Sequence, residues 1–157
     1  MCNGESALIE RFDNTPQSRW NLFTDGVMGG VSEGELLFLS EGSNSFARLL
    51  GKVRLENNGG FIQMRAQLRG LDNKKSGVSV KVRGNGEQYY IFLRTNGTLL
   101  PWQYYKASFD TKSEWTKVQI AFSSFERSSI FLTKTISPSS IKSIGVVAFG
   151  KRFEAKI

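Results

Sequence analysis

The stretch Gly59-Gly60-Phe61-Ile62-Gln63-Met64-Arg65-Ala66-Gln67-Leu68-Arg69-Gly70 gives the clearest periodicity in the chain. Ile62, Met64, Ala66 and Leu68 fall on one side and Gln63, Arg65, Gln67 and Arg69 on the other, the period of two expected of a β-strand with one buried face. The same period recurs in Val78-Ser79-Val80-Lys81-Val82-Arg83 and in Trp115-Thr116-Lys117-Val118-Gln119-Ile120-Ala121-Phe122. In the latter, Val118, Ile120 and Phe122 are expected to point inward, with Trp115 packed against the core.

Turn residues punctuate these runs. Gly84-Asn85-Gly86 separates Val78–Arg83 from the aromatic run Tyr89–Arg94, which reads as a β-hairpin. Thr95-Asn96-Gly97-Thr98 is a further turn, and Pro101 places Leu99–Tyr105 at a sheet edge or in a loop. Ser137-Pro138-Ser139-Ser140 opens one short helical turn with Ser137 as cap and proline first. Ile144–Phe149 and Phe153–Ile157 supply two last strands. Ala7–Phe12, Gly34–Ser40 and Phe46–Leu55 supply the first ones. Nine or ten short strands with no amphipathic helix predict an all-β antiparallel sandwich or jelly roll. With 157 residues and no repeat or linker, the whole chain 1–157 is expected to be one domain.

Composition narrows function. Hydrophobic residues make up 39% and charged residues 22%, values of an ordinary folded domain. Histidine is absent, which excludes Ser-His-Asp and Cys-His catalysis. A single cysteine, Cys2, excludes an internal disulfide and a cysteine zinc site. Asp25, Asp72, Asp110 and Glu114 lie beside turns or aromatics, where acids usually satisfy backbone donors, and no acid-rich loop suggests calcium. Neither glycine loop has the lysine and hydroxyl of a phosphate loop. No cofactor or metal is expected, and the chain reads as a non-enzyme.

The net charge of +7 permits an anionic partner. The cations are scattered in runs no longer than two (Lys74-Lys75, Lys151-Arg152), and the RNA-binding aromatic spacing is not met, so nucleic acid is disfavoured. No apolar run is long enough to span a membrane, and no signal or transit pattern stands at the start. A cytoplasmic location follows as the expectation, or an organellar one if a targeting segment has been removed.

Two surfaces are candidates for binding. One is the polar side of the strands, Gln63, Arg65, Lys81, Arg83, Tyr90 and Arg94, if these strands are neighbours. The other is aromatic, Trp102 and Tyr104 beside Pro101, since exposed rings stack on sugars or anchor protein partners. The densest local signal is Trp20-Asn21-Leu22-Phe23-Thr24-Asp25-Gly26-Val27-Met28-Gly29-Gly30-Val31-Ser32, read as a sharply folded loop. Its glycines supply positive-φ positions, Asp25 is expected to bond backbone donors, and Met28 stands as an adaptable apolar contact.

That loop resembles the signature of the complex I intermediate-associated protein 30 family. Four later landmarks agree in order: Asn57-Asn58-Gly59-Gly60-Phe61 with Arg65; Val82-Arg83-Gly84-Asn85-Gly86 with Tyr89 and Arg94; Trp115 with Val118 and Phe122–Phe125; and Ile141-Lys142-Ser143-Ile144-Gly145. The similarity runs from about residue 8 to the end of the chain. It implies a galactose-binding-domain-like jelly roll and a non-enzymatic, protein-binding role. The expected role is that of an assembly factor or chaperone whose partners include subunits of a membrane complex, respiratory (complex I-like) or photosynthetic. A carbohydrate-binding module of the same fold is the alternative.

The candidate contacts are then Trp20, Asp25, Met28, Asn58, Arg65, Arg83, Arg94, Trp102 and Tyr104, and the structural turns Gly26, Gly29, Gly30, Gly59, Gly60, Gly84 and Gly86. Three departures from the family pattern weaken an acid-dependent ion or sugar site. Phe23-Thr24 precedes Asp25 where an asparagine is frequent, Asn85 replaces a frequent aspartate, and Gly150-Lys151-Arg152 replaces a usual acidic turn.

Overall fold

A computed structural model of the chain describes residues 9–56, 60–100, 103–151 and 153–157, with the backbone but not the side chains of Val27 and Met28. Eleven strands are present among them: β1 (Trp20–Thr24), β2 (Glu33–Glu41), β3 (Asn44–Val53), β4 (Phe61–Gln67), β5 (Gly77–Val82), β6 (Gln88–Thr95), β7 (Tyr105–Asp110), β8 (Thr116–Ala121), β9 (Glu126–Arg127), β10 (Ile141–Phe149) and β11 (Phe153–Lys156). All the pairings are antiparallel. One layer is a six-stranded sheet in the order β1-β4-β10-β6-β7-β9. The other layer is made of two panels, β11-β3-β2 and β5-β8. The protein is an antiparallel jelly-roll sandwich.

The alternation in the sequence explains the core. Register places Leu22, Met64, Val146 and Ile91 in one row across the large sheet, all on its inner side. Ile62, Leu93, Tyr105 and Ala148 are buried beside them, and Leu49, Val53, Val82, Ile120 and Ala155 meet them from the second layer. Tyr89 is fully buried. Its hydroxyl donates to Asn85 Oδ1 at 2.6 Å and accepts from Lys156 N at 2.8 Å, which satisfies the polar end that burial would otherwise penalise. Burial pushes its pKa up to about 12.

Four expectations are corrected. Trp20–Thr24 is strand, not loop. Its period is hidden because Phe23, on the outer side, is as apolar as Trp20 and Leu22 on the inner side. Val78–Arg83 and Tyr89–Arg94 do not form a hairpin: β5 pairs with β8, and β6 lies between β10 and β7. Gly84–Gly86 instead crosses between layers, with Gly84 N donating to Lys112 O and Asn85 N to Lys156 O. A side chain at Gly84 would strike Thr111, so the crossing is close. Alternation identifies a strand but not its partner. Ile9–Phe12 forms no strand, because Glu10 accepts from the backbone N–H groups of Arg11 and Phe12 and turns the chain. Tyr105 begins a full strand, β7, which the sequence reading passes over.

The expected turn at Pro138–Ser140 is a 3-10 turn with proline first, though the Ser137 side chain does not cap it. Glu10 also anchors the front of the chain. It accepts a bidentate pair from Arg19 at 2.9 and 2.8 Å and the indole N–H of Trp20 at 2.7 Å. Desolvation acts to raise its pKa, but these donors outweigh it and hold the carboxyl at about 2. A depressed carboxylate stabilises the fold above its ordinary value and loses that contribution as pH falls through the folded one. Glu10→Gln should therefore cost about 1.5–3 kcal/mol in urea unfolding at neutral pH. The gap between the two proteins should close between about pH 4.5 and 2; a gap unchanged across that range would remove Glu10 from this role.

Candidate functional site

The glycine-rich loop is built around one carboxylate. A 3-10 turn, Asp25–Met28, follows β1 directly, with the Thr24 hydroxyl accepting from Gly26 N. Asp25 is completely buried. Its carboxylate accepts from Ser32 N at 2.9 Å, the Ser32 hydroxyl, Gly60 N at 2.6 Å and Phe61 N at 3.4 Å. Ser32 Oγ in turn accepts from Arg54 N at 2.9 Å and lies 3.1 Å from Arg54 O. Gly29 has φ 85°. A side chain at Gly30 would run into the Asp25 carboxyl group, so the chain can double back here only as glycine. Desolvation by burial acts to raise the Asp25 pKa, but the Ser32, Gly60 and Phe61 donors together lower it.

This corrects part of the expected contact surface. Asp25 and Trp20, which is 6% exposed, face inward and present no side chain to a partner. Asp25 does bond backbone donors as its turn chemistry implied. Gly26, Gly29 and Gly30 lie in or close the turn after β1, and Gly60 and Gly86 have φ 133° and 86°. Asn58, Gly59, Trp102 and the Met28 side chain lie outside the described residues.

The candidate face is the outer side of the six-stranded sheet. Register puts Phe23 beside Gln63, Gln63 beside Val147, and Val147 beside Tyr90. One row further along, Arg65, Gly145 and Phe92 are aligned. Of the polar face expected from sequence, Gln63, Arg65, Tyr90 and Arg94 therefore come together. Lys81 and Arg83 do not, because β5 belongs to the other layer. Gln63 is 8% exposed, crossed over the bare Gly145.

Aromatic rings cover much of this face. Phe92 stacks on Tyr104 with centroids 4.2 Å apart and planes 7° from parallel. Phe149 meets Tyr90 and Phe92 edge-on at 5.3 and 5.6 Å. Cations lie over the rings: Arg65 is 4.1 Å from the centroid of Phe23, and Lys106 is 5.8 and 5.5 Å from Tyr90 and Phe149. Arg94 reaches the carbonyls of Thr98 and Leu100, both at 3.1 Å, and holds the β6–β7 loop. Burial, and then the neighbouring Arg94 charge, lower the Arg65 pKa from its usual value. An opposing charge would relieve that crowding.

Sequence reasoning missed Phe23, Phe92, Phe149 and Lys106 as members of this face. Phe92 could have been found, since it is in phase with Tyr90 and Arg94 on β6. Phe149 and Lys106 join only through the strand order.

Trp115 is not packed in the core. It is 37% exposed, on the outer side of the small panel, edge-on to Phe46 at 5.4 Å with Arg83 4.7 Å from its ring. Among the described residues no cluster of three potential metal-ligating side chains exists, and no helix is long and apolar enough to cross a membrane.

The family model of Complex I intermediate-associated protein 30 matches residues 11–155. The chain belongs to that family. The Asp25 clasp is thus the physical content of the family-like loop. No curated protein sequence matches the chain. Solved structures share its fold. A family 11 carbohydrate-binding module from Clostridium thermocellum, in complex with a β-1,3-1,4-mixed-linked tetrasaccharide, superposes with a TM-score of 0.74 at 15% identity. That match covers 94% of this chain and 88% of the module. The family 11 module of a cellulosomal cellulase of the same organism gives 0.75 at 14% identity, covering 96% and 88%. An exo-β-agarase gives 0.57 at 10% identity, covering 96% of this chain and 24% of the enzyme. At these identities the likeness establishes a galactose-binding-like jelly roll and nothing about ligand.

Asp25→Asn should lower stability by more than Ser32→Ala, which removes one donor and should cost about 1–3 kcal/mol in chemical denaturation. Because the Asp25 pKa is depressed, its contribution is present above the ordinary aspartate range and fades as pH falls below it. Equal stability of wild type and Asp25→Asn at neutral pH would remove the clasp from the folding argument.

Proposed function

We propose that this family member is a non-enzymatic protein-binding module, acting as an assembly factor or chaperone for a membrane complex of the complex I type. The observation that carries the reading is the state of the rings on the outer face. A sugar needs an aromatic face free to stack on, whereas Phe23 lies under Arg65, Phe92 under Tyr104, and Tyr90 and Phe149 beside Lys106. Aromatic rings interleaved with arginine and lysine are the composition of protein-interface hot spots. Family membership supports a partner of that class, subunits of a complex under assembly. The positive crowding at Arg65 and Arg94 favours an acidic surface on that partner. The absence of histidine supports a role without chemistry.

A second reading, carbohydrate binding, is favoured by the flat Phe92–Tyr104 stack, whose geometry could extend to a pyranose ring. The two readings separate cleanly. Arg65→Glu combined with Lys106→Glu should weaken capture of complex I assembly intermediates by about thirtyfold or more, with the melting temperature little changed. Tyr104→Ala should leave that capture within a few-fold. The reverse pattern, with calorimetric binding of a mixed-linkage glucan that Tyr104→Ala abolishes, would replace the assembly reading by the sugar one.

A further inference from the structure

The second layer of the sandwich is not one sheet. β11 and Ile157 cover β3 only from Val53 back to Leu49, and β5 pairs with β8, so the stretch Phe46–Arg48 of β3 faces β5 without a ladder between them. A cavity of about 380 Å³ opens along this seam, within the range of about 300–1,000 Å³ usual for small-ligand sites. Its depth is apolar: Met64 and Val146 of the large sheet form the floor, and Val80 and Ala47 the walls. Its mouth is basic. Arg48, Lys81, Arg83 and Lys156 all line it, and Phe46 and Trp115 stand between them as a ring pair held by Arg83. Glu41, paired with Arg83 at 2.8 Å, is the one acid in an ion pair with these four among the described residues.

We propose that this seam binds an unbranched aliphatic carboxylate, its alkyl chain on Met64 and Val146 and its head group among Arg48, Lys81, Arg83 and Lys156. The pairing follows from desolvation. An apolar interior rewards a chain without polar groups, and a mouth with four cations rewards a single anionic end that stays partly in water. A neutral alkane would leave the cations unused, and a cationic amphiphile would be repelled. The site lies on the opposite layer from the outer face of the six-stranded sheet, so it stands or falls independently of the partner bound there.

The test is calorimetric titration of the full chain with octanoate, decanoate and dodecanoate below their micelle concentrations. Dodecyltrimethylammonium serves as the cationic control, and palmitoyl-oleoyl phosphatidylglycerol vesicles as a separate arm. One-to-one binding is expected, tightening about fourfold per methylene until the cavity is full. Methyl resonances of Val80 and Val146 should shift on saturation, and Arg48→Glu with Arg83→Glu should weaken dodecanoate at least tenfold. Affinity independent of chain length, equal affinity for the ammonium amphiphile, or methyl shifts elsewhere would overturn the proposal. Binding to vesicles without binding to the free carboxylates would overturn it in favour of a lipid surface.

Discussion

The carboxylate of Asp25 is the point on which this sandwich is closed. It lies immediately after β1 in the large sheet and accepts from the residue that leads into β2 and from the backbone that starts β4. Through Ser32 the same network reaches Arg54, just past the end of β3. One buried charge therefore fixes the ends of four strands drawn from both layers. A charge in that position would be costly if left bare, and four donors make it cohesive instead. The glycines around it follow from the same demand, because the backbone has to come close enough to donate.

Much of this architecture could be read from the chain, because a half-buried strand announces itself by alternation. Ile62, Met64 and Ala66 of β4 and Val78, Val80 and Val82 of β5 are placed as their period requires. The failures share a physical origin. Trp20–Thr24 carries apolar residues on both sides, since Phe23 lies beneath Arg65 rather than in water, and its period disappears. The supposed hairpin of β5 and β6 failed because inward-facing valines look the same whichever sheet they belong to. The candidate face was legible in half: Arg65, Tyr90 and Arg94 were found, while Lys106 and Phe149 depend on β7 and β10 flanking β6. Arg83 was misplaced for the same reason, its strand forming the separate panel, whereas Trp115 is out of phase with the inward-facing Val118 and Ile120 and so faces outward.

The two surfaces that emerge differ in kind. On the large sheet, rings and cations have already satisfied one another, leaving a broad surface of mixed character. At the seam, an apolar depth and a charged mouth remain apart, a combination that discriminates by shape as well as by charge. On the large sheet, the shared fold with carbohydrate-binding modules does not choose between a protein and a sugar, because a jelly roll positions side chains without dictating which ones. The choice is made by residues such as Lys106 and Tyr104, which lie on or beside one strand, β7, and act in different ways.

The outer strands carry a consequence for how these molecules behave in a crowd. A sheet edge with free backbone groups invites a second copy to add on. The six-stranded sheet ends in the two residues of β9 on one side and the five of β1 on the other. The long edge strand β2 exposes Glu33, Glu35 and Glu41, and β8 exposes Lys117. Brevity at one set of borders and charge at the other make edge-to-edge stacking unfavourable. A protein so bounded offers a second copy of itself few places to add a strand.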